Sequence, residues 1–366
     1  MVPAKEDSWA FVPIGAPFPE FVVRANGCQN QYPALWYKFG VPVFGRAWNN
    51  NGVVQCSFPY LKTELTGARD LGGQIQILQF KGSHLTEGYW YNWVKYSNRF
   101  GEGNDDMVHC GDSLPILWNR PTGPIVGSLN NKTEVARFSE KGVSVEVSGG
   151  ALKDFLIITR EKKKIQPGCT CPTCGAAPPV LTKRNLWADY RVGDAWPSAH
   201  GTPLKALGKS LNTAPGESPD QYVALYYVQG SPVYGRIWDD GGKIAGVFNF
   251  EGKVFTKNLG SIQILMQLPD NLCGYTYDWR SYSEAASFDT NKEWHPVYVR
   301  NAKGSISPAV LSLDGGKQIL GKSDLVNEKN GTGIGGVEYT QTAKQATTCL
   351  VLCRKKKAGY ELEDDF

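Results

Sequence analysis

Few residues of this chain stand in patterns that do chemistry. Cys169-Thr-Cys-Pro-Thr-Cys174 contains a C-x-x-C pair, Cys171 and Cys174, at a spacing that lets two thiolates share one metal. A closed zinc site needs further ligands, and no second C-x-x-C or His pair lies nearby, so free thiols on an exposed linker are the better expectation. Gly331-Thr-Gly-Ile-Gly-Gly336 matches the dinucleotide fingerprint letter for letter, but that motif works only between a strand and a helix N-terminus. Asn330 before it and the Val337-Glu-Tyr run after it predict a flexible loop instead. His84, His109, His200 and His295 are scattered, with no carboxylate or second histidine at ligand spacing. The usual hydrolase, phosphotransferase and zinc-protease signatures are also missing. The residues therefore predict a non-enzymatic protein with no cofactor and no metal.

What does recur is an arginine beside an aromatic: Gly45-Arg46 with Trp48, and Gly235-Arg236 with Trp238, each ahead of a turn. A planar guanidinium fork and a flat indole face suit partner hot spots, sugars and carboxylates. The competing expectation is an internal arginine bonded to loop carbonyls and packed on the tryptophan, and a duplicated position favours it. Two basic runs recur as well, Arg160 with Lys162, Lys163 and Lys164, and Arg354 with Lys355, Lys356 and Lys357. The second is followed by Glu361, Glu363, Asp364 and Asp365. Such runs are ordinarily solvated strand ends; the functional version is an electrostatic dock for an acidic partner surface. Arg46, Trp48, Arg236, Trp238 and the six lysines, Lys162, Lys163, Lys164, Lys355, Lys356 and Lys357, are the candidate partner-binding set.

The elements that must position them come from a duplication. Gln31 to Trp48 and Gln221 to Trp238 agree at 11 of 18 positions. The match continues through Gln74-Ile-Gln-Ile-Leu78 with Ser261-Ile-Gln-Ile-Leu265 and through Gly88-Tyr-Trp-Tyr-Asn-Trp93 with Gly274-Tyr-Thr-Tyr-Asp-Trp279. The expected organisation is a first domain over 7–164, a Cys- and Pro-rich linker over 165–184, a second domain over 185–357 and an acidic tail over 358–366. A fainter inner repeat sets Leu35-Trp36 and Pro42-Val-Phe-Gly45 against Leu117-Trp118 and Pro124-Ile-Val-Gly127. It would make each domain from two related β units of about 80 residues.

With 366 residues, each half can bury a core. The 41 Gly, 22 Pro, 11 Trp, 17 Tyr and 15 Phe favour turns and half-buried strands over long helices. The predicted fold class is mainly β, two homologous tandem domains of mostly antiparallel sheet with few helices. Asn49-Asn-Asn-Gly52 and Asp239-Asp-Gly-Gly242 read as tight hairpins. Alternation in Gln74-Ile-Gln-Ile, and in Tyr89, Tyr91, Trp93 with Tyr275, Tyr277, Trp279, marks strands with one apolar face. The net charge of +4 is too small to announce a nucleic-acid or membrane-surface protein. No apolar run approaches the roughly 18 residues of a membrane span, and no secretory signal is legible. A reducing, cytoplasmic setting with nine free thiols is the expectation.

Ser8-Trp-Ala-Phe-Val-Pro-Ile-Gly-Ala-Pro-Phe-Pro19, the two Gln-Tyr-x-Ala-Leu to Gly-Arg-x-Trp blocks and the twofold repeat together resemble the MSP fiber protein 2 family of nematode sperm. The resemblance covers nearly the whole chain. It implies a non-enzymatic cytosolic accessory protein that binds filaments of major sperm protein, promotes their assembly and so drives pseudopod extension. It carries no contact residues over. The Pro-Val-Phe-Gly-Arg-Ala-Trp block and its second copy, Pro-Val-Tyr-Gly-Arg-Ile-Trp, also look like the DM9 repeat of some invertebrate sugar-binding proteins. That likeness implies a mannose-like ligand near Arg46, Arg236 and the adjacent aromatics.

Overall fold

The computed structural model describes residues 7–82, 87–100, 107–162, 181–197, 201–289, 291–301 and 304–362. The histidines 84 and 200, the cysteines 169, 171 and 174, and Lys163 and Lys164 lie outside the described residues. Internal contacts divide the chain into two units between Val180 and Leu181.

In the first unit β1 (Ser8–Pro13), β2 (Tyr32–Lys38), β3 (Val41–Asn50), β4 (Val53–Tyr60), β5 (Thr63–Leu65) and β6 (Gln74–Gln79) are followed by β7 (Tyr89–Lys95), β8 (Ser113–Arg120), β9 (Gly123–Asn130), β10 (Val135–Glu140), β11 (Val143–Ser148) and β12 (Leu156–Lys162). Their spatial order is β1-β6-β2-β3-β4-β5, continued through β5 against β11 as β11-β10-β9-β8-β12-β7. Each set of six follows one path: the first strand pairs with the last, the last with the second, and the rest form a meander.

The second unit repeats that path twice more, in two sheets. The first has β13 (Leu186–Arg191), β14 (Thr202–Pro203), β15 (Tyr222–Val228), β16 (Ser231–Asp240), β17 (Lys243–Phe250), β18 (Lys253–Phe255) and β19 (Ser261–Gln267), ordered β13-β19-β15-β16-β17-β18 with β14 beside β19. The second has β20 (Tyr275–Ser281), β21 (His295–Pro296), β22 (Val299–Asn301), β23 (Gly304–Leu313), β24 (Lys317–Asp324), β25 (Lys329–Ile334), β26 (Val337–Thr342) and β27 (Leu350–Lys356). Its order is β20-β27-β23-β24-β25-β26, with β21 beside β27 and β22 beside β23. The fold is thus two homologous domains of mostly antiparallel sheet, and each contains the six-strand path twice. The longest α-helices among the described residues are single turns, such as Ala68–Leu71.

Local chemistry explains the hairpins. Asn51 and Gly52 have φ of 51° and 91°, Gly241 and Gly242 have 61° and 87°, and such pairs match the right-handed twist of flanking strands. The side chains of Asn49 and Asp239 accept the Gly52 and Gly242 amides at 2.7 and 2.6 Å. Each repeat has its own apolar core, around Trp36, Phe58 and Ile77; Ile116, Phe138 and Ile157; Tyr226, Phe248 and Ile264; and Leu311, Ile319 and Val351. The alternation in β6 predicts one wet face, but the strand is buried along its whole length. As an inner strand it is covered on both sides, and Gln79 Nε2 donates to the Glu20 carbonyl at 2.8 Å.

One feature recurs in every repeat. A Cβ on Gly45, Gly127, Gly235 or Gly321 would stand 2.2–2.5 Å from the carbonyl oxygen of Ser57, Arg137, Val247 or Gly331 on the next strand. In the first three the Phe58, Phe138 or Phe248 ring lies over the glycine. Only glycine allows neighbouring backbones to coil together this tightly. Gly331 to Gly336 reflects the same constraint, and the expected flexible loop is corrected: residues 329–334 are strand β25, buried over most of its length. Its Gly331 and Gly333 leave room for Asn249 and for Val247 and Val254.

Gly127→Ala should lower stability by about 3 kcal/mol. Gly150, with open space around its Cα and no positive φ, should tolerate alanine within about 0.5 kcal/mol. Urea midpoints of the two variants measure the contrast.

Candidate functional site

The residue after each repeated glycine is Arg46, Ser128, Arg236 or Lys322. In the first unit β3 and β4 lie against β9 and β10, and in the second β16 and β17 lie against β24 and β25. The side chain after the glycine therefore points at the twin repeat. Arg46 donates to the Ser139 carbonyl at 2.6 Å, Arg236 to the Gly333 carbonyl at 2.6 Å, and Lys322 to the Asn249 carbonyl. Ser128 instead accepts the Phe44 amide at 3.1 Å. Ser139, Asn249 and Gly333 each follow the residue opposite the repeated glycine, so three of the four seams use the same bond.

Carboxylates complete these seams. Glu64 accepts from Ser57 Oγ at 2.5 Å, from Arg46 at 3.4 Å and from the Gly142 amide at 2.7 Å. Glu338, at the matching place in the fourth repeat, accepts from Asn249 Nδ2 at 2.6 Å and from the Gly252 amide at 2.5 Å. Arg236 also donates to Thr332 Oγ1 at 2.8 Å and to Glu217 at 2.5 Å. Burial lowers the Arg46 and Arg236 pKa values, with Glu64 and Glu217 respectively opposing the shift. Burial also lowers Lys322 to about 8, against a favourable charge from Glu338.

These placements correct part of the candidate set. Arg236 is 1% exposed and serves the fold; it cannot meet a partner. Arg46 is nearly as enclosed, bonded to a carbonyl of the twin repeat, with its guanidinium 5.9 Å from the Trp48 ring. Trp48 and Trp238 remain half-exposed. Trp238 lines a cleft of about 550 Å³ with Glu217, Asp240, Lys243 and Gly335, entirely within the second unit. Lys322, Glu64, Glu217 and Glu338 were not singled out from the sequence. The signal for Lys322 is Gly321-Lys322, the fourth counterpart of Gly45-Arg46.

The basic runs begin inside the protein. Arg160 and Arg354 are 8% and 4% exposed, and they stand opposite Tyr91 and Tyr277 in register. Arg160 is 3.4 Å from Asp7, and Arg354 lies 5.8 Å from the Tyr275 ring. Lys162 closes β12 opposite Tyr89. Beyond Arg354 the run reaches solvent, yet each lysine has a partner: Lys355 pairs with Glu293 at 2.8 Å, Lys356 with Glu361 at 3.1 Å, and Lys357 donates to the Asp270 carbonyl at 2.7 Å. The second run is thus a solvated strand end whose lysines are paired at the surface.

The family model of MFP2b, described as a cytosolic motility protein, matches residues 6–162 and 184–356. The chain belongs to this family. Among solved structures it is similar to the nematode sperm cell motility protein MFP2B, with 56% identity, 98% of this chain and 100% of that chain covered, and a TM-score of 0.55. No curated protein matches. The family is one of motility proteins rather than of enzymes. No helix among the described residues is long and apolar enough to cross a membrane.

Two outcomes test the seams. Arg236→Met strands the Glu217 carboxylate and should cost about 3–5 kcal/mol in urea denaturation. For Lys322 the folded pKa of about 8 lies below the ordinary 10.5, so between these values the unfolded chain binds more protons and stability rises with pH. Wild type should gain on Lys322→Met as pH passes upward through this window, read as the difference between their urea midpoints. A constant difference would place the ammonium in water.

Proposed function

We propose that this protein binds filaments of major sperm protein and promotes their assembly in the crawling sperm cell, acting at the pseudopod. The observation that carries the reading is the match to a cytosolic motility family over both halves of the chain, with 56% identity to a nematode sperm motility protein. The architecture suits the task. Two homologous domains on one chain can engage successive subunits of a polymer, and linking two weak sites raises avidity through effective concentration without any new contact. The lysines at the end of β27, Lys355, Lys356 and Lys357, and the run containing Lys162, Lys163 and Lys164 offer positive charge to an acidic filament surface. Trp48 is a half-exposed aromatic of the first unit.

A sugar-binding role has one observation in its favour. The cleft at Trp238 combines a flat aromatic face with the Glu217 and Asp240 carboxylates, a chemistry that suits a mannose-like ligand. Because Arg236 is enclosed, Trp238→Ala is the informative variant for that reading.

Co-sedimentation with preassembled major sperm protein filaments decides between them. The expected result is pelleting at a fixed ratio to filament subunits, weakening as salt rises toward the range where the Debye length falls to about 8 Å. Absence from the pellet, together with glycan binding that Trp238→Ala removes, would replace the filament reading with the lectin one.

A further inference from the structure

The sequence holds three Asn-Gly pairs, Asn26-Gly27, Asn51-Gly52 and Asn330-Gly331. Asparagine is among the chemically labile residues, and a following glycine leaves the next amide nitrogen unhindered for attack on the side chain. Whether that attack occurs depends on what holds the peptide between the two residues, and the fold treats the three pairs differently. In β25 Asn330 is 1% exposed, and its Nδ2 donates to Gln341 Oε1 at 3.1 Å and to the Ala346 carbonyl at 2.9 Å. Gly331 is paired in register on both sides, with Lys322 and Thr340. Asn51 lies in the β3–β4 turn at φ 51°, and the Gly52 amide is held by Asn49 Oδ1 at 2.7 Å.

Asn26 and Gly27 have neither protection. Both are exposed. Among the described residues nothing accepts the Gly27 amide, and the Asn26 side chain makes no hydrogen bond. The turn is closed by the Cys28 amide donating to the Ala25 carbonyl at 3.1 Å. Gly27 has φ 71° and Asn26 has no positive φ, the type II pattern, in which Asn26 has ψ of about +120°. Ring closure needs the Gly27 nitrogen to swing to the Cβ side of Asn26. Glycine accepts either sign of φ, so this peptide plane can turn over toward the type I arrangement with little steric cost. The same turnover would break the Gly52–Asn49 bond at Asn51 and two strand ladders at Asn330.

We propose that Asn26 is a deamidation site in the folded protein, selected over the other two pairs by its free glycine amide. The Gly27 nitrogen gives up its proton and bonds to Asn26 Cγ, the Cγ–Nδ2 bond breaks, and ammonia leaves with a proton. Water then opens the cyclic imide at either carbonyl, leaving aspartate or isoaspartate. Both products add one negative charge, and isoaspartate also lengthens the main chain by one carbon. The flanking Ala25 and Cys28 are buried against Leu117 and Val126 of the twin repeat. Lengthening the turn therefore disturbs a contact that joins the two repeats of the first unit.

The test incubates the full-length protein in mildly alkaline buffer and follows the three sites by peptide mapping, with isoaspartate scored by enzymatic methylation. Asn26 should be converted at least tenfold faster than Asn51, Asn330 should stay intact, and in urea the three rates should converge. Asn49→Ala removes only the side chain that holds the Gly52 amide. It should speed conversion of Asn51 severalfold and leave the Asn26 rate unchanged. Equal rates at Asn26 and Asn51 in the folded protein, or conversion of Asn26 only on unfolding, would overturn the proposal. An Asn51 rate unmoved by Asn49→Ala would overturn it too, because the free amide would then not be what selects the site.

Discussion

The close approach of a strand carbonyl to a glycine Cα, made four times along the chain, is the contact on which the rest of the architecture depends. At Gly45, Gly127, Gly235 and Gly321 the next strand comes so near that no side chain could stand there. Strands that coil this strongly bring the residue after the glycine round to face the twin repeat. The bond from Arg46, Arg236 or Lys322 to a carbonyl of that twin follows from the geometry. Removing the constraint would loosen the sheet and misdirect the polar groups that join the repeats.

The seams show how a duplicated fold buries charge. An arginine taken out of water is costly unless hydrogen bonds and a nearby carboxylate offset the loss. Glu64 supplies that charge in the first unit and Glu217 in the second, from unrelated places in their repeats. The bond to the twin's carbonyl is kept while the counter-ion is free to change. Backbone geometry therefore sets the first requirement, and the second is met by whichever loop passes nearby. The same economy holds at the paired tyrosines, where Asp7 meets Tyr91 in one unit and Asn185 meets Tyr277 in the other.

This division leaves function to the surfaces that the seams do not use. The most strongly duplicated motif, Gly-Arg-x-Trp, is mostly interior, and only its tryptophans reach the surface. The basic run of β27 is divided too, between a buried arginine that holds the tyrosine face and lysines bound to carboxylates and a carbonyl at the rim. In these repeats the positions that the copies share keep the scaffold, whereas the copies differ at the surface. Asp240 and Lys243 beside Trp238, against Asn50 and Val53 beside Trp48, are such a difference.

The sequence by itself determined the duplication, the mainly antiparallel β class and the tight hairpins, because these rest on local signals: alternation, turn residues with positive φ and identity at fixed spacing. It also pointed to the inner repeat through Gly45 and Gly127, and its family resemblance agrees with the match to the motility family. Tertiary structure alone decided which side of the duplicated arginine mattered. Whether a guanidinium faces solvent or a carbonyl of another repeat depends on strands about 90 residues away in the chain, which no local pattern reports. For the same reason Gly331 to Gly336 looked like a loop: glycine demanded by close packing and glycine allowed by flexibility are the same letter. Only the neighbouring side chains of Asn249, Val247 and Val254 distinguish them.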